Sequence, residues 1–451
     1  MTTAATTSSS AAPAVPPGRD LVVDLARVFC VLLVVAIHVM MVGVAVDSTG
    51  AVVANRPLQE QSWFPLSTWA GQIMPLFFVV GGFASATAWA GARRRGDDAG
   101  DFVRGRLLRL ARPASAVFAV LALALAVAAL LGADPDLVDV VATGVGSPFW
   151  FLAAYGITQV LVPVMARLHA TRPWAPLFVL VVAAVLVDAV RYGTGVTAVG
   201  LLNLAFVWLF VQQLGFAYAD GLFRRTPRVV LLVVAVVAYA ALVPLTAAGP
   251  WSDDMLSNLN PPTVPLMVLG VAQICVLSLV HPALSRLMST SPARAVVFAI
   301  GSRGMTVYLW HLPVLIALLG FLLAVGGPLP QPSTATWWWT RLPIWALVIG
   351  LTCLVSLATA RFERPPRALP AGRRRASWWL IGAAAVLAIG PPFDVMQEGL
   401  DLRNAVAGAI CLPLAIWLLG RSRPAVTAEG VHRPAQAQAE AVGPTDVARK
   451  G

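Results

Sequence analysis

The chain of 451 residues is 58% hydrophobic and only 12% charged. Soluble domains carry about 25% charged residues, so this composition excludes an ordinary soluble protein and indicates a polytopic membrane protein. The net charge of +11 does not indicate a nucleic-acid partner, because the arginines lie in short stretches between apolar segments. The four cysteines lie inside apolar runs, without the spacing of metal ligands, so we expect neither disulfides nor a metal site.

Twelve apolar segments, most of them long enough to cross a bilayer, follow one another along the chain. They cover about residues 21–46, 66–91, 113–132, 148–168, 174–191, 197–219, 227–248, 263–284, 302–326, 339–360, 377–396 and 402–420. The last two are the weakest and could form a hairpin or an appendage. Residues 1–18 and 421–451 are polar or rich in small residues, and we expect both to be disordered tails. The sequence therefore predicts an all-α polytopic membrane protein.

The arginines predict the orientation of these spans. If the N-terminus is cytoplasmic, nearly all arginines fall in the inner loops. The outer loops hold only Arg56, Arg191, Arg341 and Arg403. By the positive-inside rule, we expect both termini to be cytoplasmic, in a multi-pass protein of a bacterial cell membrane.

The first span carries three polar side chains along one face. Arg27 and His38 are eleven residues apart, which on an α-helix returns to within about 20° and places them about 16 Å apart along the axis. Asp24 lies nearly on the same face, three residues before Arg27. Ionisable groups inside a membrane helix usually mark a reaction or transport path. His38 is the candidate general base, with Arg27 and Asp24 beside it. The alternatives are an interhelical hydrogen bond for His38 and a snorkelling Arg27 paired with Asp24.

The third span is preceded by a group of arginines. Arg106 and Arg109 share a helix face, about 60° apart. Guanidinium groups suit phosphates, and a cytosolic nucleotide-bearing donor such as coenzyme A carries several. The two arginines are therefore candidates for donor binding. The alternative is that they only set the membrane topology.

The ninth span supplies a third group, in which Arg303, Tyr308 and His311 are further candidates for donor binding. His311 lies about 12 Å from the cytoplasmic end of its span, whereas His38 lies about 25 Å from the same side. His311 could bind a polar group of the donor or orient His38. An interhelical hydrogen bond is the alternative.

These pieces, in this order, resemble the acyltransferase-3 superfamily of integral-membrane acyltransferases. The opening helix, with Arg27 and His38, resembles the R-x10-H motif of the family. Residues 75–83 resemble the FFxxSGF stretch, with Gly81 where serine is usual, and Arg106 and Arg109 match the RxxR motif. Further similarities are WFL at 150–152, YLWHLP at 308–313 and ERP at 363–365.

The resemblance covers about residues 19–368 and implies a core of ten helices, with residues 369–420 forming an additional C-terminal hairpin. It implies an acyl-CoA donor, acetyl-CoA above all, that enters from the cytoplasm. The acceptor would be a hydroxyl of an envelope glycan, a lipid-linked sugar or a secreted small molecule. His38 would be the catalytic base, while Arg27, Arg106 and Arg109 would hold or position the donor.

The sequence therefore favours a membrane O-acyltransferase. The acceptor could attack the thioester directly, or the acyl group could first move to a histidine; both routes stay open. A transporter is the main alternative, since twelve spans suit one, but paired halves with broken helices are not visible in the sequence. A scaffold protein would not explain the aligned polar groups of the first span.

Overall fold

The computed structural model describes residues 19–46, 52–363 and 377–421. Within these residues, twelve helices are long and apolar enough to cross a membrane, which confirms the predicted helical, multi-pass architecture. The tail predicted at 1–18 and the boundary predicted at 368–369 lie outside the described residues. Of the tail predicted at 421–451, only Arg421 is described, as the last residue of a helix.

Sixteen α-helices and one small hairpin make up the described chain. The helices are α1 (Leu21–Met41), α2 (Phe64–Gly71), α3 (Met74–Arg94), α4 (Ala99–Leu130), α5 (Pro135–Gly146), α6 (Trp150–Thr171), α7 (Trp174–Thr194), α8 (Asn203–Ala219), α9 (Leu222–Arg225), α10 (Arg228–Ala248), α11 (Val264–Met288), α12 (Ser291–Gly301), α13 (Gly304–Ala324), α14 (Ala335–Glu363), α15 (Trp378–Glu398) and α16 (Leu402–Arg421). The strands β1 (Gly43–Val46) and β2 (Val52–Asn55) pair antiparallel, with Gly43 opposite Asn55.

Two predicted boundaries differ from the structure. The first apolar span was expected to reach residue 46, but α1 ends at Met41 and the next residues form β1. The third span was expected to begin at 113, but α4 begins at Ala99, where Asp98 caps the helix by accepting the Asp101 N–H at 2.8 Å. The RxxR arginines therefore lie inside α4, on the helix that their spacing predicted.

Helices α3 and α8 cross with their backbones in contact. A Cβ atom added to Gly82 would lie 2.2 Å from the carbonyl oxygen of Gln212, and one added to Gly215 would lie 2.1 Å from that of Val79. Only glycine fits at either position, as at other close crossings of membrane helices. Gly82 of the FFxxSGF-like stretch thus contributes to the position of α3 in the bundle.

The last two helices are part of the bundle. Helix α16 packs along α4, and α15 packs along α6. The buried Arg104 of α4 donates from Nε to the carbonyl oxygen of Leu419, in the last turn of α16, at 2.6 Å. An arginine near a helix C-terminus satisfies a carbonyl that the helix itself leaves open. The C-terminal helices therefore support the helix that carries Arg106 and Arg109.

The start of α1 is fixed to two other helices. Asp20 caps α1 by accepting the Val22 N–H at 3.0 Å. The same carboxylate accepts the Tyr218 hydroxyl of α8 at 3.0 Å and lies 3.3 Å from Nε2 of His281 in α11. These contacts lie at the end of the bundle that also carries Arg19, which we call the arginine-rich end.

Candidate active site

Two histidines from distant parts of the chain form the centre of the site. His38 Nδ1 lies 2.7 Å from His311 Nε2, and the two rings are stacked with their centroids 4.9 Å apart. His311 is buried and His38 is partly exposed. A histidine in the last turn of α1 is thus placed directly against one in α13.

The short helix α12 explains why these histidines meet. The Cα of Gly301, at the end of α12, faces Val28 of α1 so closely that an added Cβ would lie 3.2 Å from it. From these two positions, His38 and His311 are each ten residues further along the chain, and the path to His311 includes the turn between α12 and α13. The sequence placed the two histidines about 12 and 25 Å from the same side, whereas their contact puts both rings at one level of the bundle.

A chain of hydrogen bonds fixes the tautomers of the neutral pair. His311 Nδ1 lies 2.6 Å from the carbonyl oxygen of Tyr308. A carbonyl only accepts, so His311 Nδ1 carries the proton and its Nε2 is an acceptor. His38 Nδ1 must then donate to His311 Nε2, which leaves His38 Nε2 as an unprotonated nitrogen. The arrangement therefore presents the lone pair of His38 Nε2 as a base.

His38 lines a cavity of about 1000 Å³ that is partly open to the surroundings. The cavity lies between α1, the segment 58–74 with α2, and the loop that precedes α11. We call it the imidazole cavity. It is lined by Leu33, Val34, Ile37, His38, Met40, Met41, Leu58, Trp63, Phe64, Ser67, Thr68, Gly71, Gln72, Ile73, Met74, Trp150, Leu256, Leu259 and Tyr308.

Arg27 lines a second cavity of about 1020 Å³, at the arginine-rich end. We call it the arginine cavity. It is lined by Arg19, Asp20, Val23, Asp24, Arg27, Val80, Phe83, Ala84, Thr87, Ala90 and Arg94. Helix α1 therefore lines both cavities, with Arg27 in one and His38 in the other, about 16 Å apart along the helix.

Asp24 bridges two arginines in the arginine cavity. Its Oδ2 lies 2.6 Å from Nε of Arg19, and its Oδ1 lies 3.3 Å from Nη2 of Arg27. The Arg27 side chain remains 39% exposed, so its guanidinium has donors left for a ligand. Asp24 thus orients the two arginines, and the structure does not place it beside His38.

Arg106 of the RxxR motif lies beside the arginine cavity. Arg106 Nη2 donates to the carbonyl oxygen of Ala84, a cavity-lining residue, at 3.4 Å. Its guanidinium also interacts electrostatically with Arg27, Arg109 and Tyr155. Arg109 is exposed. The motif therefore adds positive charge to the same region as Arg27.

The other candidates for donor binding lie elsewhere. Arg303 donates from Nη1 to Ser356 Oγ of α14 at 2.9 Å, and it lines neither cavity. Tyr308 lines the imidazole cavity, where its hydroxyl donates to the carbonyl oxygen of Pro148 at 2.9 Å. His311 binds His38. Of the two roles that the sequence left open for His311, the geometry favours orientation of His38.

Sequence reasoning missed Arg19 and Arg94 as parts of the site, because both were counted only as topology signals. The spacing of residues along α3 could have identified Arg94. The residues of α3 that line the arginine cavity recur at helical spacing from the FFxxSGF-like stretch to the end of the helix, at positions 80, 83, 84, 87, 90 and 94. Arg94 therefore continues the face that begins at that motif.

The buried Asp188 of α7 lines neither cavity and is hydrogen-bonded locally. Asp188 accepts hydrogen bonds from Asn203 Nδ2 at 2.8 Å, Trp251 Nε1 at 2.8 Å and the Val264 N–H at 3.0 Å. The four cysteines are free thiols. Among the described residues, no three His, Cys, Asp or Glu side chains come together in a group that could hold a metal ion.

The comparisons with known proteins give one match. No curated protein and no solved structure matches the sequence. The acyltransferase domain of the acyltransferase-3 family matches residues 20–361, which run from the cap of α1 to the last turn of α14. The match contains both histidines, Arg27 and the RxxR pair, and it leaves out α15 and α16. The chain therefore belongs to the acyltransferase-3 family and is a multi-pass membrane acyltransferase.

Proposed function

We propose that this protein is an O-acyltransferase that moves an acyl group, acetyl in the first place, from cytoplasmic acyl-CoA to a hydroxyl. The hydroxyl would belong to an envelope glycan, a lipid-linked sugar or a secreted small molecule. A transporter is not retained, because the chain belongs to an acyltransferase family. By the positive-inside rule, the arginine-rich end faces the cytoplasm, in the cell membrane of a bacterium.

The observation that carries the proposal is the hydrogen-bond chain from the Tyr308 carbonyl through His311 to His38. It holds His38 in the tautomer whose Nε2 accepts a proton, at the wall of a cavity large enough for a substrate. A partner that fixes the tautomer and ring orientation of a histidine is the arrangement that general-base catalysis uses. Here a second histidine has that role.

The reaction then proceeds with these residues in defined roles. His38 Nε2 takes the proton of the acceptor hydroxyl while its oxygen attacks the thioester carbonyl carbon. The new ester C–O bond forms, the C–S bond breaks, and the CoA thiolate receives the proton back from His38. While His38 is protonated, its Nδ1–H remains bonded to His311 Nε2, and that charge-assisted bond is stronger than the neutral one.

The separation of the two cavities fits the shape of the donor. Acyl-CoA carries its phosphates at one end and its thioester at the end of a long, thin arm. Phosphates held by Arg19, Arg27 and Arg94 at the arginine-rich end would lie about 16 Å from the level of His38 along α1. Arg106 and Arg109 would add guanidinium donors for the same phosphates. A donor of this shape is anchored in one cavity and reacts at the other.

The test is acyl transfer by the purified full chain in lipid nanodiscs, with radiolabelled acetyl-CoA and candidate alcohols. We expect His38→Gln to lower the rate by about 10²–10⁴-fold, the usual contribution of a general base. The matched control is His169→Gln, because His169 is also a helix histidine with a side-chain partner, Asp220, but it lines neither cavity. Turnover by His38→Gln at the rate of the control would remove His38 from the mechanism.

A further inference from the structure

The imidazole cavity carries no charge. Among the residues that the structure describes, no Asp, Glu, Lys or Arg side chain lines it. Its wall on α1 is formed by Leu33, Ile37 and Met41, which recur every four residues and share one face of the helix. Apart from His38, the surface that a substrate meets along α1 is hydrophobic.

Apart from His38 and the indole N–H groups of Trp63 and Trp150, the polar side chains of this cavity are already bonded to the backbone. The hydroxyls of Ser67 and Thr68 each donate to the carbonyl oxygen three residues earlier, at 2.7 and 2.6 Å. The Gln72 amide uses its oxygen and its nitrogen on backbone groups, at 3.3 and 3.5 Å. The Tyr308 hydroxyl donates to Pro148. His38 Nε2 is therefore the one ring nitrogen of the histidine pair that remains for a substrate hydroxyl.

We propose that the acceptor is an uncharged, largely apolar alcohol whose hydroxyl reaches His38, and that polyhydroxylated sugars are poor acceptors. This inference rests on the proposed function and names its substrate class. Each sugar hydroxyl would give up hydrogen bonds to water and find few partners in the cavity, which is unfavourable. An apolar skeleton binds favourably to the same wall, because its surface leaves water without losing hydrogen bonds.

The composition of the cavity agrees with an acceptor of this kind. Met40, Met41 and Met74 are among the lining residues, and methionine side chains adapt to apolar ligands of different shapes. The alcohol could come from the bilayer or from a free hydrophobic metabolite, since both sources offer the same chemistry.

The experiment compares acceptors with the full chain in nanodiscs and radiolabelled acetyl-CoA. Farnesol represents a free apolar alcohol, dioleoylglycerol an alcohol of the membrane lipids, and cellobiose a polyhydroxylated sugar. We expect kcat/KM for at least one apolar alcohol to exceed that for cellobiose at least about tenfold, which is 1.4 kcal/mol. A preference for dioleoylglycerol would indicate that the acceptor comes from the bilayer, and a preference for farnesol would indicate a free metabolite. Equal or better transfer to cellobiose overturns the proposal, as does His38-dependent thioester turnover without transfer to either apolar alcohol.

A binding measurement separates this inference from the proposed function. Labelled farnesol should bind saturably without donor, and Ile37→Trp should abolish the saturable component by filling the cavity. The matched control is Val233→Trp on the exposed face of α10, which should keep it, and thermal unfolding shows that both variants are folded. If the unmodified protein shows no saturable farnesol binding, the proposed class of acceptor is wrong. If it binds farnesol saturably but does not turn over acetyl-CoA, only the proposed reaction is contradicted.

Discussion

The hydrogen bond between the two histidines predicts a specific effect of changes at His311. His311→Leu removes the acceptor of the His38 Nδ1–H, which lies 2.7 Å away. A neutral hydrogen bond contributes about 1 kcal/mol, and one to a charged group about 1.5–3 kcal/mol. Because His38 is charged only while it holds the substrate proton, the loss is larger in the transition state, by about 1–2 kcal/mol. Since 1.36 kcal/mol is tenfold in rate, we expect kcat to fall about 5–30-fold.

His311→Gln is the matched variant. Its amide can donate to the Tyr308 carbonyl and accept from His38, so it should keep most of the activity that His311→Leu loses. The assay is single-turnover transfer from radiolabelled acetyl-CoA under saturating donor, with thermal unfolding as the check on folding. Equal rates for two well-folded variants would refute the role of His311 in orienting His38.

Three further predictions concern the donor, the helix crossing and the C-terminal helices. Arg27→Gln should raise KM for acetyl-CoA about tenfold, because it removes one charge-assisted hydrogen bond of roughly 1.5 kcal/mol. Arg172→Gln should leave KM unchanged, and steady-state kinetics measure both variants. Gly82→Ala should lower the free energy of unfolding by about 3 kcal/mol or more through overpacking, and Gly81→Ala should lower it much less. Thermal unfolding of the two variants measures the difference. Arg104→Met should lower stability by about 1–3 kcal/mol through loss of the Leu419 bond, with KM for the donor little changed.

The two controls in this set depend on position. Arg172 is exposed and lines neither cavity. If Arg172→Gln raised KM as much as Arg27→Gln, the effect would come from the net charge of the protein and not from contact between Arg27 and the donor. A Cβ at Gly81 would meet the Tyr155 ring at 3.2 Å rather than backbone, and a ring can shift. Equal destabilisation at Gly81 and Gly82 would contradict the close crossing of α3 and α8.

The sequence was sufficient for the helical architecture and for the face shared by Arg27 and His38, because both follow from local periodicity. It could not show that His38 and His311 touch, since they are 273 residues apart and belong to separate helices. The common level of the two histidines was not predicted, because α12 has only eleven residues and was not recognised as a helix. A helix of that length does not cross a bilayer, yet it determines where α13 begins.

The cavities were the least predictable feature. Their walls combine a transmembrane face of α1 with short segments that have no strong pattern, such as α2 and the loop before α11. The packing of α16 against α4 was equally unpredictable, because residues in contact there, such as Arg104 and Leu419, are 315 residues apart in the sequence. In each case the missing information is the relative placement of helices, which side-chain contacts determine and periodicity does not.

The attachment of Asp20 to Tyr218 and His281 has a mechanical consequence for the distant His38. A hydrogen-bonded helix changes little in length, so sliding α1 by one ångström at its anchored end would displace the imidazole by about the same amount, some 27 Å away. If His38 is the base, as proposed, its position relative to the thioester would be adjusted from the arginine-rich end of the bundle. A charge, a bound ion or a protein that loosened this three-helix attachment would retune catalysis without touching either substrate.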